Sequence, residues 1–208
     1  PVAHPAHADG ALGRRPMSAA LEQFRLPLFP LNTVVFPGGR LPLRIFEQRY
    51  LDMVKQAIAD DMPFGICAIR EGAETGAPAV PYTVGTRVHV TDWDMPQAGI
   101  LHIDTQAEER FVVRSTRTEP GGLLTGSVEA VSAEPASAIP AELELAVEIL
   151  RHIIGEYGTA HFPAPHEFDN AVWVGYRLSE VLPLKLSTRQ NLLEMNDSVT
   201  RLRILTEF

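Results

Sequence analysis

Leu26-Pro-Leu-Phe-Pro-Leu-Asn-Thr-Val-Val-Phe-Pro-Gly-Gly-Arg-Leu-Pro-Leu-Arg-Ile-Phe-Glu-Gln-Arg-Tyr50 is the stretch on which the fold turns. Pro30 sits inside an apolar run and has no N–H, which confines that run to a sheet edge, a strand start or a bulge. Pro37-Gly38-Gly39 reads as a turn, because Pro fixes φ and Gly accepts positive φ. After Pro42 a second short strand leads directly into a helix beginning at Phe46-Glu47. The stretch therefore predicts two short strands followed by a helix.

The helix extends from Glu47 to Asp60, with Tyr50, Met53, Val54, Ala57 and Ile58 at helical spacing and Glu47 near the positive end. Met62 to Ile69 reads as a buried strand and Arg70 to Tyr82 as a loop. Thr86 to Thr91, Ile100 to Asp104, Arg110 to Arg117 and Leu123 to Val131 alternate polar and apolar residues. They predict an antiparallel meander, with Asp92 to Gly99 as a connecting turn. Ser132 to Ala138 breaks the pattern and reads as a linker.

Beyond the linker the apolar period is helical. Pro140 opens a first helix whose broad face carries Leu143, Val147, Leu150 and Ile154 and runs to about Gly158. Asp169 is the expected cap of a second, bearing Val172, Trp173, Tyr176, Leu178 and Val181 and ended by Pro183. Ser187 is the expected cap of a third that continues to Leu205. The expected organisation is a disordered leader over 1–24, a strand-rich subdomain over 25–131, the linker 132–138, and a helical subdomain over 139–208.

Three separated pieces of sequence resemble the Lon protease N-terminal (substrate-binding) domain family. One is the opening run. Another is Arg70-Glu-Gly-Ala-Glu-Thr-Gly76 followed by Pro81-Tyr-Thr-Val-Gly-Thr86, which looks like the family's loop and return strand. The last is Leu182-Pro-Leu184 with Arg189-Gln190 and Leu192-Leu193-Glu194, similar to the join between the family's final helices. The resemblance covers about Leu26 to Leu205. It implies an α+β fold, a PUA-like antiparallel β-barrel with one packed helix followed by an α-helical bundle. Gln106-Ala-Glu-Glu109 departs from the family pattern, where relatives usually carry a glycine, and predicts a different bulge or turn there.

Function classes narrow quickly. No Gly-x-x-x-x-Gly-Lys-Ser/Thr loop occurs to cradle a phosphate, and no serine lies in Gly-x-Ser-x-Gly. The carboxylates show no nucleophile–base constellation; Glu108-Glu109 reads as a solvated turn. The chain is therefore read as a free-standing, non-catalytic relative without the ATPase and protease parts, needing no cofactor. One cysteine, Cys67, rules out a disulfide within the chain and any paired Cys-x-x-Cys zinc site; it reads as a small buried hydrophobe. His161 and His166, near Glu167 and Asp169, read as loop histidines, and no metal is expected.

The net charge of −8 and dispersed arginines disfavour nucleic acid, although Arg110, Arg114 and Arg117 offer a short basic strip for an RNA-binding alternative. No stretch is long and apolar enough to span a bilayer, and residues 1–16 lack a secretory core, so the protein is expected to be cytoplasmic and off the membrane. The resemblance implies a module that recognises exposed apolar segments of unfolded or client polypeptides; an adaptor docking on a separate protease is a further alternative. Candidate binding residues are Trp93 and Met95 at an expected loop tip, either an interaction site or a lid over the core. Tyr157, Phe162 and Phe168 are candidates for a groove where the two halves meet, with core packing the alternative for each.

Overall fold

Strand β1 (Gln23–Leu31), strand β2 (Arg40–Ile45) and helix α1 (Gln48–Asp60) follow one another as the opening stretch predicts. The computed structural model describes residues 23–158, 161, 162 and 164–208. The leader expected over 1–24 thus falls outside the described residues up to position 22, while Gln23 and Phe24 already belong to β1. Then come β3 (Phe64–Glu71), β4 (Val80–Gln97), β5 (Ile100–Thr118) and β6 (Leu124–Ala130). A single 3₁₀ turn (Ala141–Leu143) leads to α2 (Glu144–Tyr157), α3 (Ala171–Val181), α4 (Leu186–Glu194) and α5 (Ser198–Thr206). Among the described residues the fold is α+β, a six-stranded mixed sheet with five α-helices.

The strands run in the order β2-β5-β4-β3-β1-β6, and β5 also pairs with β6. Strand β5 is long enough for one edge to serve two partners: β2 over Leu101–Gln106 and β6 over Phe111–Thr118. That double use closes the strands into a ring. The expected meander holds from β3 to β6, but β1 pairs with β3 in parallel, from Leu28 opposite Gly65 to Leu31 opposite Ala68. Strand β2 and helix α1 provide the crossover that a parallel pair requires. Alternating polarity announces a strand and says nothing of which neighbour it takes. Pro30 fits because β6 leaves β1 after Leu28, so the edge that Pro30 cannot serve carries no partner.

Two expectations in the strands are corrected. Asp92–Gln97 is not a connecting turn but part of β4, paired with β5 as far as Gln97 opposite Ile100. The turn shrinks to Ala98-Gly99, with Gly99 at φ +82°, as a tight hairpin requires. Glu108-Glu109 is not a solvated turn but a bulge, lying between the pairs Thr86–Arg110 and Val88–Ala107, so that Arg87 alone opposes two residues. Arg87 forms ion pairs of 2.8 Å with both carboxylates. The departure at Gln106–Glu109 accordingly marks an irregular register.

In the helical half the cap of α3 is Asn170, one residue beyond the expected Asp169, and its side chain accepts a hydrogen bond from Val172 N–H at 3.0 Å. The single helix expected from Ser187 to Leu205 is two. The backbone becomes extended at Met195, and Asp197 caps α5 through Thr200 N–H at 3.0 Å. Ending α4 frees carbonyls, and two buried arginines take them up. Arg110 Nη1 donates to Leu193 O at 2.7 Å and to Met195 O at 2.9 Å, while Arg201 Nε donates to Leu192 O at 3.0 Å. The segment read as a linker has no helix or strand, yet Ala138 bridges to Asn170 and Ser137 O accepts from Ala171 N–H at 2.8 Å.

Three apolar clusters result among the described residues. One fills the helical half and reaches Val34, Phe36 and Ala68. A second packs the buried face of α1 (Tyr50, Leu51, Met53, Val54 and Ala57) against β3 and the β2–β5 sheet. The third joins Leu26, Leu28, Cys67, Phe111 and Val128 across β1, β3, β5 and β6.

Candidate functional site: an apolar groove beside the first helix

The amphipathic character of α1 places its apolar residues on the sheet and leaves Gln48, Asp52, Gln56 and Asp60, at successive steps of four, on one flank. That flank borders an open groove of about 930 Å³. The opposite wall is the start of β1, Phe24 to Pro27. Met62-Pro63-Phe64, where the chain enters β3, and Glu119-Pro120-Gly121 with Leu123, between β5 and β6, also line the groove. Asp61, in the left-handed conformation at φ 52°, reverses the chain after α1 and sets Met62 at the rim with 57% of its surface exposed.

The three arginines of the groove are already engaged. Arg25 pairs with Glu119 at 3.0 Å, and Arg87 with the bulge carboxylates. Arg49, with a side chain only 8% exposed, pairs with Glu47 at 2.9 Å and donates to Gly122 O at 3.1 Å. Its guanidinium lies 4.6 Å from the Tyr50 ring centre. Burial raises the Tyr50 hydroxyl above its usual pKa, an effect that Arg49 opposes and Glu47 adds to. Asp52 and Asp60 receive only amide hydrogen bonds, from Gln48 at 2.7 Å and from Gln56, and neither has a cation partner among the described residues.

The residues singled out from sequence fall elsewhere. Trp93 and Met95 stand on the outer part of β4, 55% and 39% exposed, and do not cover the core. Tyr157 ends α2 and is exposed, whereas Phe162 is buried in the helical core. Phe168 is half-buried, edge-on to Trp173 at 5.3 Å with the Arg151 guanidinium 3.8 Å from its ring centre. The basic strip also dissolves: Arg110 turns inward to the helices, while Arg114 pairs with Glu129 at 2.7 Å and Arg117 lies 3.7 Å from Glu119. Phe24, Met62 and Leu123, which line the groove, were read from the sequence only as leader or strand residues, and Met62, expected in a buried strand, is exposed ahead of β3. The sole signal there was Met62-Pro63 immediately after a helix end.

A family model described as the ATP-dependent protease La (LON) substrate-binding domain matches residues 25–208. The chain belongs to this family. A solved Lon N-terminal domain protein from Xanthomonas campestris is 33% identical with a TM-score of 0.74, over 89% of this chain and 98% of that one. The N-terminal domain of a Mycobacterium avium complex Lon protease shares the fold, with a TM-score of 0.59 at 16% identity over 88% of this chain and 97% of that one. Lon protease 2 of Myxococcus xanthus is 41% identical over 63 residues, 29% of this chain and 8% of that protein. Lon protease of Anaeromyxobacter dehalogenans (strain 2CP-C) is 40% identical over 67 residues, 31% of this chain and 8% of that protein. The matches thus span about one twelfth of those two proteases. Within the Lon architecture this chain corresponds to the substrate-binding part and not to the ATPase or protease. Among the described residues no helix is long and apolar enough to cross a membrane.

Proposed function

We propose that this Lon substrate-binding domain holds exposed apolar segments of unfolded or client polypeptides in the groove beside α1. The single observation that supports this most is the groove itself: about 930 Å³, walled largely by apolar side chains, with Met62 exposed at its rim. An apolar concavity of that size gains free energy by excluding water from an incoming side chain. Holding is the whole of the proposed activity, without catalysis or cofactor, and it is assigned to the cytoplasm. Trp93 and Met95 give a second reading a foothold. A bare tryptophan on an arm of two strands suits docking on a folded partner such as a separate protease.

Fluorescence anisotropy of a labelled, permanently unfolded protein titrated with this chain tests the proposal. Met62→Glu, at an exposed position, should weaken binding by about tenfold, the scale of one lost apolar contact. Trp93→Ala should leave it within about twofold, a change worth less than ~0.5 kcal/mol. No binding by the unaltered chain overturns the proposal, and loss confined to Trp93→Ala transfers the site to the β4–β5 arm.

A further inference from the structure

Three features of the groove describe its occupant more closely, on the reading that it takes a polypeptide. The first is an open strand edge. Strand β6 accompanies β1 from Gln23 to Leu28, but β3 joins only at Leu28, so Phe24 to Pro27 lack a strand neighbour on the groove side among the described residues. Pro27 has no N–H to give β6, so its ladder pair with Thr125 is the non-hydrogen-bonded kind. Its main-chain groups, and those of Arg25 two residues earlier, therefore turn to the open edge. An extended chain can pair there.

The second is Arg49. Its side chain is 8% exposed, and its Nε–H is buried without a hydrogen-bond partner among the described residues, although the other nitrogens of the guanidinium are engaged. A buried donor left unpaired is costly, and a main-chain carbonyl entering the groove would satisfy it. The third is charge. With all three arginines paired internally, Asp52 and Asp60 are the groove carboxylates left without a cation. They are two helical turns apart, about 12 Å along the axis. An extended chain covers that distance in about four residues, and residues four apart point to the same side.

We propose that the groove recognises an extended segment in which one apolar side chain is flanked by two basic ones, in the pattern basic-x-apolar-x-basic. The apolar side chain enters between Met53, Met62, Phe64 and Leu123, the basic groups meet Asp52 and Asp60, and the main chain pairs with Arg25 and Arg49 Nε–H. The overall charge of −8 acts in the same direction, drawing cationic segments and repelling acidic ones.

The test compares two short labelled peptides by anisotropy against the full chain, one carrying Lys-Ser-Leu-Ser-Lys and one Glu-Ser-Leu-Ser-Glu, with labelled unfolded protein alongside. The lysine peptide should bind about fivefold or more tighter, the scale of two partly exposed ion pairs. Raised salt should shrink that ratio. Asp52→Asn with Asp60→Asn, both at surface positions, should bring the ratio to about one, while unfolded protein still binds. Equal binding of the two peptides, or a preference that survives the double variant, overturns this inference and leaves the polypeptide-binding reading intact. Failure of the unfolded protein itself to bind removes both.

Discussion

The Tyr176 hydroxyl donates to Glu134 Oε1 at 2.7 Å, linking α3 to the segment that leaves the ring of strands. The same carboxylate pairs with Arg201 of α5, and Arg110 of β5 lies 3.8 Å away. Arg201 also stacks its guanidinium 4.4 Å from the Tyr176 ring centre. Arg201 is fully buried and Arg110 almost so, and Glu134 is the acidic group facing both. Burial, with the Glu134 hydrogen bond adding to it and Arg110 opposing, pushes the Tyr176 hydroxyl up to about 12. Replacing Glu134 by Ala strands two buried cations, and such losses cost about 3–5 kcal/mol. Chemical denaturation should show a loss of this size, with Tyr176→Phe costing about 1 kcal/mol, the value of one hydrogen bond. A loss below 1 kcal/mol for Glu134→Ala would mean that the arginines find other partners.

Glu180 gives the fold a pH dependence. Its carboxylate contacts Arg177 at 2.9 Å beside the Pro37–Gly39 turn, where Arg177 also donates to Pro37 O at 2.8 Å. Burial outweighs the two arginines, Arg177 and Arg189, and pushes its pKa up to about 7. A carboxyl raised in this way binds its proton more tightly when folded. Stability is therefore greatest below the ordinary carboxyl range and declines as pH rises toward about 7, levelling off above it. The decline should be about 1–3 kcal/mol. Thermal unfolding across that window should show the slope in the unaltered chain and a flatter profile in Glu180→Gln. Equal slopes would assign the dependence to other groups.

Two glycines should respond with opposite signs. A Cβ at Gly85 in β4 would lie 2.6 Å from Cys67 Sγ, 2.6 Å from Ile66 O and 2.7 Å from Phe111 Cζ. Backbone and ring cannot both yield, so Gly85→Ala should cost about 2–3 kcal/mol. Gly155 lies inside α2 with nothing within 4 Å of an added Cβ. Gly155→Ala should stabilise by about 0.5–1 kcal/mol through helix propensity. Denaturant midpoints of the pair decide the matter, and a shared sign would contradict the packing described.

Cys67 should be inert while the chain is folded. Its side chain is 1% exposed, and burial pushes the thiol up to about 12. The thiolate is the reacting species, so a thiol-specific reagent near neutral pH should label the denatured protein fully and the native protein at the rate of unfolding. Rapid labelling of the native state would place Cys67 at the surface.

The opening stretch was legible because proline and glycine act locally: Pro30 and Pro42 restrict pairing, Gly38 takes φ +77°, and the period of α1 follows from single side chains. Cys67 as a buried hydrophobe was readable for the same reason. The break at Met195–Asp197 was not, because its carbonyls are satisfied by Arg110, more than eighty residues distant. The bulge at Glu108-Glu109 was legible only as a bulge or a turn, because its register is set by Arg87 on another strand. The groove escaped notice because none of its walls is unusual alone.

What the residues settle unaided is the kind and order of most of the elements, the family to which the chain belongs, and the lack of phosphate-loop and nucleophile motifs within these 208 positions. These follow from short stretches of neighbouring residues and from the order of those stretches along the chain. Three-dimensional packing alone decided that β1 lies parallel to β3, that Glu134 sits between two buried arginines, and that Asp52 and Asp60 face an apolar hollow. Each of these depends on segments that meet only after the chain has closed its ring. A linear pattern carries no record of the distances that such closure creates.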